Sequence, residues 1–322
     1  RFPRHCRWDF DSSCPPVTDS MTSARMKGVK CCFLLLISLM DLAAQDQFTL
    51  ATYNVENYLD KEVPGRKVKS EESKLAVRET ILKVKPDVLV VQEMGEPSAL
   101  SELRDSLARR GLNYDHVRLL DAYDRYIHVA LLSRFPIVSE RHHTNDAFLL
   151  EGKRLPVSRG FLEATIAVND DYQFTLFAAH LKSKRSVHYA DESRMRAREA
   201  TILRKKLESI LREQSNANLA VLGDLNDSRD SIPIRTIVGR GKLALKDTRP
   251  GESTGIGKPI DPDVTWTYHY DEKDSYTRVD YLLVSRGMAR EWIRERSLVL
   301  AMPNWIEASD HRLVISTFRA RD

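Results

Sequence analysis

Residues 218–228 read "NLAVLGDLNDS", an apolar run from Leu219 to Leu222 that stops on Gly223 and is followed at once by Asp224, Leu225 and Asn226. Such a run, bounded by Gly and Asx residues, is a buried strand entering a turn. A plain turn needs neither the carboxylate nor the amide. The same form recurs elsewhere. "QFTLATYN" (47–54) is strand-like and closes on Asn54, "DVLVVQE" (87–93) is a buried strand closing on Glu93, and "QFTLFAAH" (173–180) closes on His180. "SEESKLAVRETILKV" (70–84) has the apolar spacing and acidic first turn of a helix. Residues 98–110 form a second helix and 191–212 a long third one, apolar on one face and basic on the other. That basic face reads most simply as a solvated surface. "IHVALLS" (127–133), "GFLEATIAV" (160–168) and 173–180 follow one another as strands with no helix between them, which implies antiparallel neighbours in a sheet. Further strands are expected at 218–223, 264–268, 279–285, 297–301 and 312–318, and the Gly- and Pro-dense stretch 249–263 is expected to be a surface loop. Many strands with few helices imply a layered α/β fold, two sheets packed face to face under helices, rather than a doubly wound parallel sheet.

The chain has 322 residues, 42% hydrophobic and 30% charged, enough to bury a large core. Its formal net charge of +4 is too small to argue for a nucleic-acid partner by itself. Met26 opens "MKGVKCCFLLLISLMDLAAQDQ", with Lys27 and Lys30 ahead of an apolar run and small residues at Ala43 and Ala44, the layout of a secretory signal peptide over 26–45. Asp41 and Asp46 interrupt the run short of the ~20 residues that a membrane span needs. A secreted or periplasmic protein with no stable membrane insertion after cleavage is therefore expected. Residues 1–25 are expected to be a disordered upstream leader, and 47–320 one domain with no linker dividing it. Cys6, Cys14, Cys31 and Cys32 all precede that domain, which leaves it no thiol nucleophile and no thiolate zinc site.

The polar strand ends form a set: Asn54, Glu93, His180, Asp224 and Asn226, joined by Asp280 at the head of "DYLLVS" and by "SDH" (309–311) ahead of the last strand. Each alone is ordinary turn chemistry. Together, at one edge of a sandwich, they would line a cleft that is anionic without a cation. With "ATYNVEN", "VVQEM", "SRGF", "AAHLKSK", "GDLND", "RVDYLLVS" and "SDH" in that order, the chain resembles the endonuclease/exonuclease/phosphatase superfamily, which includes pancreatic-type deoxyribonucleases, abasic-site endonucleases, sphingomyelinases and inositol polyphosphate 5-phosphatases. The resemblance implies a four-layered α/β sandwich, two packed mostly antiparallel sheets flanked by helices, and metal-dependent hydrolysis of phosphoester bonds.

By that resemblance Asp224 orients or deprotonates the attacking water, while Asn226 and Asn54 hydrogen-bond phosphoryl oxygens. A turn at 223–226 is then required to aim Asp224 and Asn226 at one phosphate. Oxygen ligands Glu93 and Asp310, with Asn54, suit Mg²⁺, which Mn²⁺ or Ca²⁺ would replace. His311 fills the place of the second active-site histidine, held and kept charged by Asp280, and His180 that of the first, both stabilising the phosphoryl transition state. Asp121 is the nearest candidate by position for the carboxylate that orients His180. Arg159 resembles a basic residue near the phosphate site. Lys182, Lys184 and Arg185 would hold a polyanion, and Tyr53, Tyr58, Tyr126 and Trp305 are candidates to stack on a base. Salt bridging, loop solvation and core packing are the plainer alternatives for these last groups. The expected activity is that of a secreted monomeric phosphodiesterase of endonuclease type acting on DNA or RNA. A phosphatase or a sphingomyelinase-like lipid phosphodiesterase is the alternative. A non-catalytic binding module would be expected to lack some of Glu93, Asp224, Asn226, Asp310 and His311, and all are present.

Overall fold

A computed structural model describes residues 46–321, so the leader and the signal-like segment lie outside the described residues. Along the chain run β1 (Gln47–Tyr58), α1 (Glu71–Val84), β2 (Val88–Met94), α2 (Pro97–Ala108), β3 (His116–Leu120), β4 (His128–Ser133), β5 (Ile137–His143), β6 (Ala147–Leu150), β7 (Lys153–Pro156), β8 (Phe161–Ala167) and β9 (Gln173–His180). There follow α3 (Glu192–Glu213), β10 (Leu219–Asp224), α4 (Ile232–Val238), β11 (Lys246–Asp247), β12 (Glu252–Ser253), β13 (Tyr268–Tyr270), β14 (Ser275–Thr277), β15 (Asp280–Val284), β16 (Trp292–Leu300), α5 (Trp305–Ala308) and β17 (Val314–Arg319).

The strands form two large sheets, in the orders β12-β16-β17-β1-β2-β4-β3 and β11-β15-β10-β9-β8-β5. Most neighbours are antiparallel. The two parallel pairs that matter for the site, β1 with β2 and β9 with β10, are each joined by a long helix, α1 and α3. Parallel neighbours require such a crossover, because the chain must return to the starting edge before running forward again. Local chemistry sets where the crossovers begin. The Ser70 hydroxyl accepts from the Ser73 N–H at 3.1 Å ahead of α1, and the Asp191 carboxylate accepts from the Arg194 N–H at 2.7 Å ahead of α3.

Strand alternation then sorts side chains into layers. Between the sheets lie Phe48, Leu50, Val88, Val90, Leu176, Ala178, Leu222 and Leu282. The opposite face of the first sheet, with Leu89, Val91 and Ala130, is covered by Val77 and Ile81 of α1 and Leu100 and Leu103 of α2. The outer face of the second, with Phe177, Val221 and Leu283, is covered by Ala200, Leu203 and Leu207 of α3 and Ile234 of α4. This is the expected four-layered sandwich.

Four details differ from the sequence expectations. The strand 128–133 belongs to the first sheet, whereas 161–167 and 173–180 are antiparallel neighbours in the second. The chain changes sheets through β5, an edge strand whose exposed, charged side chains lack strand periodicity. The expected strand 264–268 becomes regular only at Tyr268, and within 249–263 the short β12 pairs in parallel with β16. The basic face of α3 is partly internal: Arg204 donates to the carbonyls of Ile237 and Leu243 at 3.0 and 2.9 Å, and Arg196 is buried.

Gly223 answers for the quoted stretch. Its φ of +149° favours glycine, and a Cβ there would stand 1.8 Å from the Ala179 carbonyl oxygen, inside the backbone of β9. At the far end of the core, the Phe48 ring packs on those of Phe135, Tyr172, Phe174 and Phe318 at centroid distances of 5.2–6.5 Å. Phe48→Ala should lower the unfolding free energy by roughly 3–5 kcal/mol, read from urea denaturation; a loss under about 1 kcal/mol would mean that the cluster closes over the cavity.

Candidate active site

Pairing register places three of the polar residues side by side. Asp224 on β10 lies directly opposite His180 on β9 and Asp280 on β15, on the inter-sheet face two residues beyond Leu222, Ala178 and Leu282 respectively. On the facing sheet the same face of β1 runs Phe48, Leu50, Thr52 and Asn54, from apolar core to polar rim. Asn54 Nδ2 donates to Asp224 Oδ2 at 3.1 Å and so ties the two sheets together at that rim. Thr52 and Gln92 make the transition by bonding to one another at 3.0 Å.

Local backbone departures then aim the remaining groups. In an unbroken β2, Glu93 would share the outward face of Leu89 and Val91; its φ of +60°, at a register shift in β2, breaks that alternation. Asn226 has φ +55°, and its N–H donates to Asp224 Oδ1 at 2.8 Å while its Nδ2 reaches Asp224 Oδ2 at 3.1 Å. The turn expected at 223–226 therefore folds Asn226 back on Asp224. Glu56 and Asn57, at φ +47° and +58°, sit just beyond Asn54. Side chains with a Cβ adopt this region at a cost, and their gathering at one rim is strain of the kind that functional sites retain.

A cavity of about 640 Å³ opens there, and Glu93, Asp224, Asn226, Asp310 and His311 all line it. Asn54, His180 and Asp280 stand behind this lining. His311 Nδ1 lies 2.8 Å from Asp280 Oδ2, and its Nε2 faces Asp224 and Asp310 at 3.8 and 3.9 Å. Burial alone would discharge the ring. Asp280, Asp310 and Asp224 around it outweigh that and hold the imidazole well above its ordinary value. Asp224 is pushed up to about 7 by burial, partly offset by the His311 charge. Burial likewise moves Asp310 up to about 6, with Glu56 and Glu93 adding repulsion.

The two histidines differ. His180 Nε2 lies 3.5 Å from Asp224, its Nδ1 has no partner among the described residues, and burial followed by the nearby Arg159 and Arg66 holds it well below its ordinary value. It is a neutral ring behind Asp224, whereas the sequence suggests a cation at both positions. Asp121 is exposed and does not hydrogen-bond to His180 Nδ1. Arg159 is buried, with Nε 3.1 Å from Asp124 and Nη1 3.3 Å from the Leu181 carbonyl. Lys182 turns inward, donating to the Arg185 and Ser183 carbonyls at 2.8 and 3.1 Å, so its cation closes a loop. Tyr53 and Tyr58 are core residues, and Trp305 packs on Trp266 and His269. Tyr126 is exposed on a neighbouring cavity.

Several site residues lie outside the strand-end set. Arg66 pairs with Glu93 at 3.2 Å and Lys69 with Glu56 at 3.3 Å; the basic run 61–69 after β1 was the available signal. Tyr268 packs against the His311 ring with centroids 4.7 Å apart and the planes tilted by 39°. Glu199 of α3, fully buried, accepts from Ser158 N–H and Oγ at 2.8 and 2.7 Å and from the Lys182 N–H at 2.6 Å. Arg196 holds Asp227 at 2.9 Å and the Lys182 carbonyl at 3.0 Å. One helix thus clamps the loops that follow His180 and Asp224.

The endonuclease/exonuclease/phosphatase family model matches residues 51–311, and the chain belongs to that family. It is a phosphoesterase. Among solved structures it is similar to the human Nocturnin catalytic domain with bound sulfate (TM-score 0.60, 19% identity, covering 85% of this chain and 94% of that one). It is similar also to sphingomyelinase C from Streptomyces griseocarneus (0.59, 17%, 84% and 99%) and to truncated Caenorhabditis elegans TDP2 (0.57, 17%, 85% and 98%). At these identities the likeness shows the fold. No curated protein sequence matches the chain.

Two outcomes follow. Asp280→Asn removes a carboxylate that favours charged His311, so the alkaline limb of the pH–rate profile, where that charge is lost as pH rises, should move to lower pH; an unmoved limb would separate Asp280 from His311. Glu199→Ala strands three donors and should cost roughly 2–3 kcal/mol in urea denaturation while lowering kcat more than it raises KM.

Proposed function

We propose that the chain is a secreted, monomeric, Mg²⁺-dependent phosphodiesterase of endonuclease type that cleaves nucleic acid. The observation that carries this reading is the convergence of Glu93, Asp224, Asn226, Asp310 and His311 on one cavity whose rim carries Lys184, Arg185 and Lys273 beside Tyr268 and Tyr270. Cations and rings on the rim suit a polyanion that bears bases. Export rests on the signal-like segment 26–45; no helix among the described residues is long and apolar enough to cross a membrane.

The donor set fits a hard divalent cation. Asp310 is raised by burial and by the neighbouring carboxylates of Glu56 and Glu93, a repulsion that a bound cation would relieve. Glu93 and Asp310, with Asn54 behind them, would hold it through oxygen. Asp224, Asp280 and His311 also bring ligand atoms within 4.8 Å of one another. A ring kept charged has no lone pair to give, however, so we assign that trio to holding a proton. When bound, the ion would neutralise charge developing on the phosphoryl group.

The chain's own residues supply the remainder. Asp224, pushed up to about 7, is matched to accept a proton from water as the new P–O bond forms and the ester P–O bond breaks, the departing alkoxide taking its proton from solvent. Charged His311, aligned by Asp280, donates to a phosphoryl oxygen on which negative charge grows. Asn226 and Asn54 fix Asp224, and neutral His180 packs behind it.

Plasmid DNA, RNA, bis-p-nitrophenyl phosphate and p-nitrophenyl phosphate, each assayed with Mg²⁺ and with chelator, test the reading. Cleavage of the nucleic acids and the diester with Mg²⁺, abolished by chelator, is expected; activity on the monoester alone would overturn it. His311→Ala should fold normally and lose on the order of 10²–10³ in kcat, and full turnover would remove His311 from the mechanism.

A further inference from the structure

A second cavity, of about 550 Å³, adjoins the catalytic one, and Ser183 and Arg185 belong to both walls. Its charge is one-sided: five cations line it against the single carboxylate of Asp124 among the described residues. Three of those cations are occupied, Arg66 by Glu93, Arg159 by Asp124 and Lys182 by loop carbonyls. Arg125 and Arg185 have no acidic partner among the described residues. The same wall collects aromatic rings at the surface. Tyr123 is 65% exposed, Tyr126 42% and Tyr189 37%, so three of the four exposed tyrosines among the described residues line this one cavity. Tyr189 meets the His188 ring edge to face with centroids 5.4 Å apart, and it shares the cavity wall with Tyr123.

Core packing does not account for rings this exposed, and solvation alone does not gather them beside unpaired guanidinium groups at the edge of a catalytic cavity. We propose that this second cavity is a nucleotide subsite, in which a base of a single-stranded nucleic acid stacks on Tyr123 and Tyr189 while its phosphate meets Arg125 and Arg185. The subsite deepens the nuclease reading and rests on it for its link to catalysis. A single strand is specified because an unpaired base offers its face to a ring, whereas in a duplex both faces are already stacked. Arg185, common to both walls, is where the chain of phosphates would pass from the subsite to the scissile bond.

The test is binding, kept apart from cleavage. Fluorescence anisotropy of a labelled short oligodeoxyadenylate in chelator should show the double variant Tyr123→Ala, Tyr189→Ala binding roughly tenfold more weakly than the wild type, the loss of about one stacked base. Wild-type protein, which needs no variant to fold, should bind an abasic backbone of equal length and charge about as weakly as the variant binds the oligonucleotide. With Mg²⁺, the ratio of kcat/KM on the oligonucleotide to that on bis-p-nitrophenyl phosphate should fall by a similar factor in the variant. Equal affinity of variant and wild type, equal affinity for the abasic backbone, or tighter binding of the duplex would overturn the subsite. A strand that binds in this base-dependent way and stays uncut with Mg²⁺ would overturn the nuclease reading and leave the subsite standing.

Discussion

The hydrogen bond from Asn54 to Asp224 joins two sheets at the point where both have run out of apolar side chains. A carboxylate this buried has lost most of its hydration, and only neighbouring dipoles and charges replace it. Asn54 comes from β1, Asn226 from the turn after β10, His180 and Asp280 from β9 and β15 on either side of β10, and His311 from the segment that leads into β17 of the first sheet. No local segment assembles such a set. It exists because two parallel β-α-β units end at the same rim of the sandwich, and the crossover helices α1 and α3 are what parallel pairing demands.

Much of this was legible in the sequence because burial writes itself as periodicity. The apolar runs ending at Glu93, His180 and Asp224 are strands that end within a residue of those positions, β1 runs on from Asn54 to Tyr58, and the helices over 71–84, 97–108 and 192–213 fall within a residue or two of their expected bounds. What stayed hidden has no periodic signature. Edge strand β5 reads "IVSERHH" and looks like a polar linker, because neither face of it is deeply buried. Arg196, Glu199 and Arg204 look like the solvated face of α3, since sequence shows their charge but not the carbonyls and N–H groups that come to meet them. Lys182 misleads in the same way. Glu93 is found by position, yet its left-handed backbone, which removes it from the outward face of β2, is not encoded by any neighbouring glycine.

Stability and site chemistry pull in opposite directions along one strand. The inner face of β1 passes from Phe48 and Leu50 through Thr52 to Asn54, so each step toward the rim exchanges apolar burial for groups that must be hydrogen-bonded. Left-handed backbone at Glu56, Asn57, Glu93 and Asn226 adds strain at the same end. The inter-sheet core with its aromatic cluster around Phe48 and the two helix-packed outer faces lie where they can hold that rim without entering it.

The two histidines show how position alone can set chemistry. His180 and His311 both approach Asp224, at 3.5 and 3.8 Å. His180 has Arg159, Arg66 and Lys182 for neighbours and no carboxylate on its second nitrogen, so burial leaves it neutral. His311 has Asp280 on its second nitrogen and Asp310 beside the first, and the same burial is overcome. Asp224 therefore sits between a ring that brings no charge and a ring that brings one. Two cationic rings would pull its proton affinity down, and two neutral ones would leave the buried carboxylate without a counter-charge. One of each holds Asp224 at about 7 and still places a donor at the cavity wall, the division of labour on which the proposed proton transfer beside a phosphorus centre would draw.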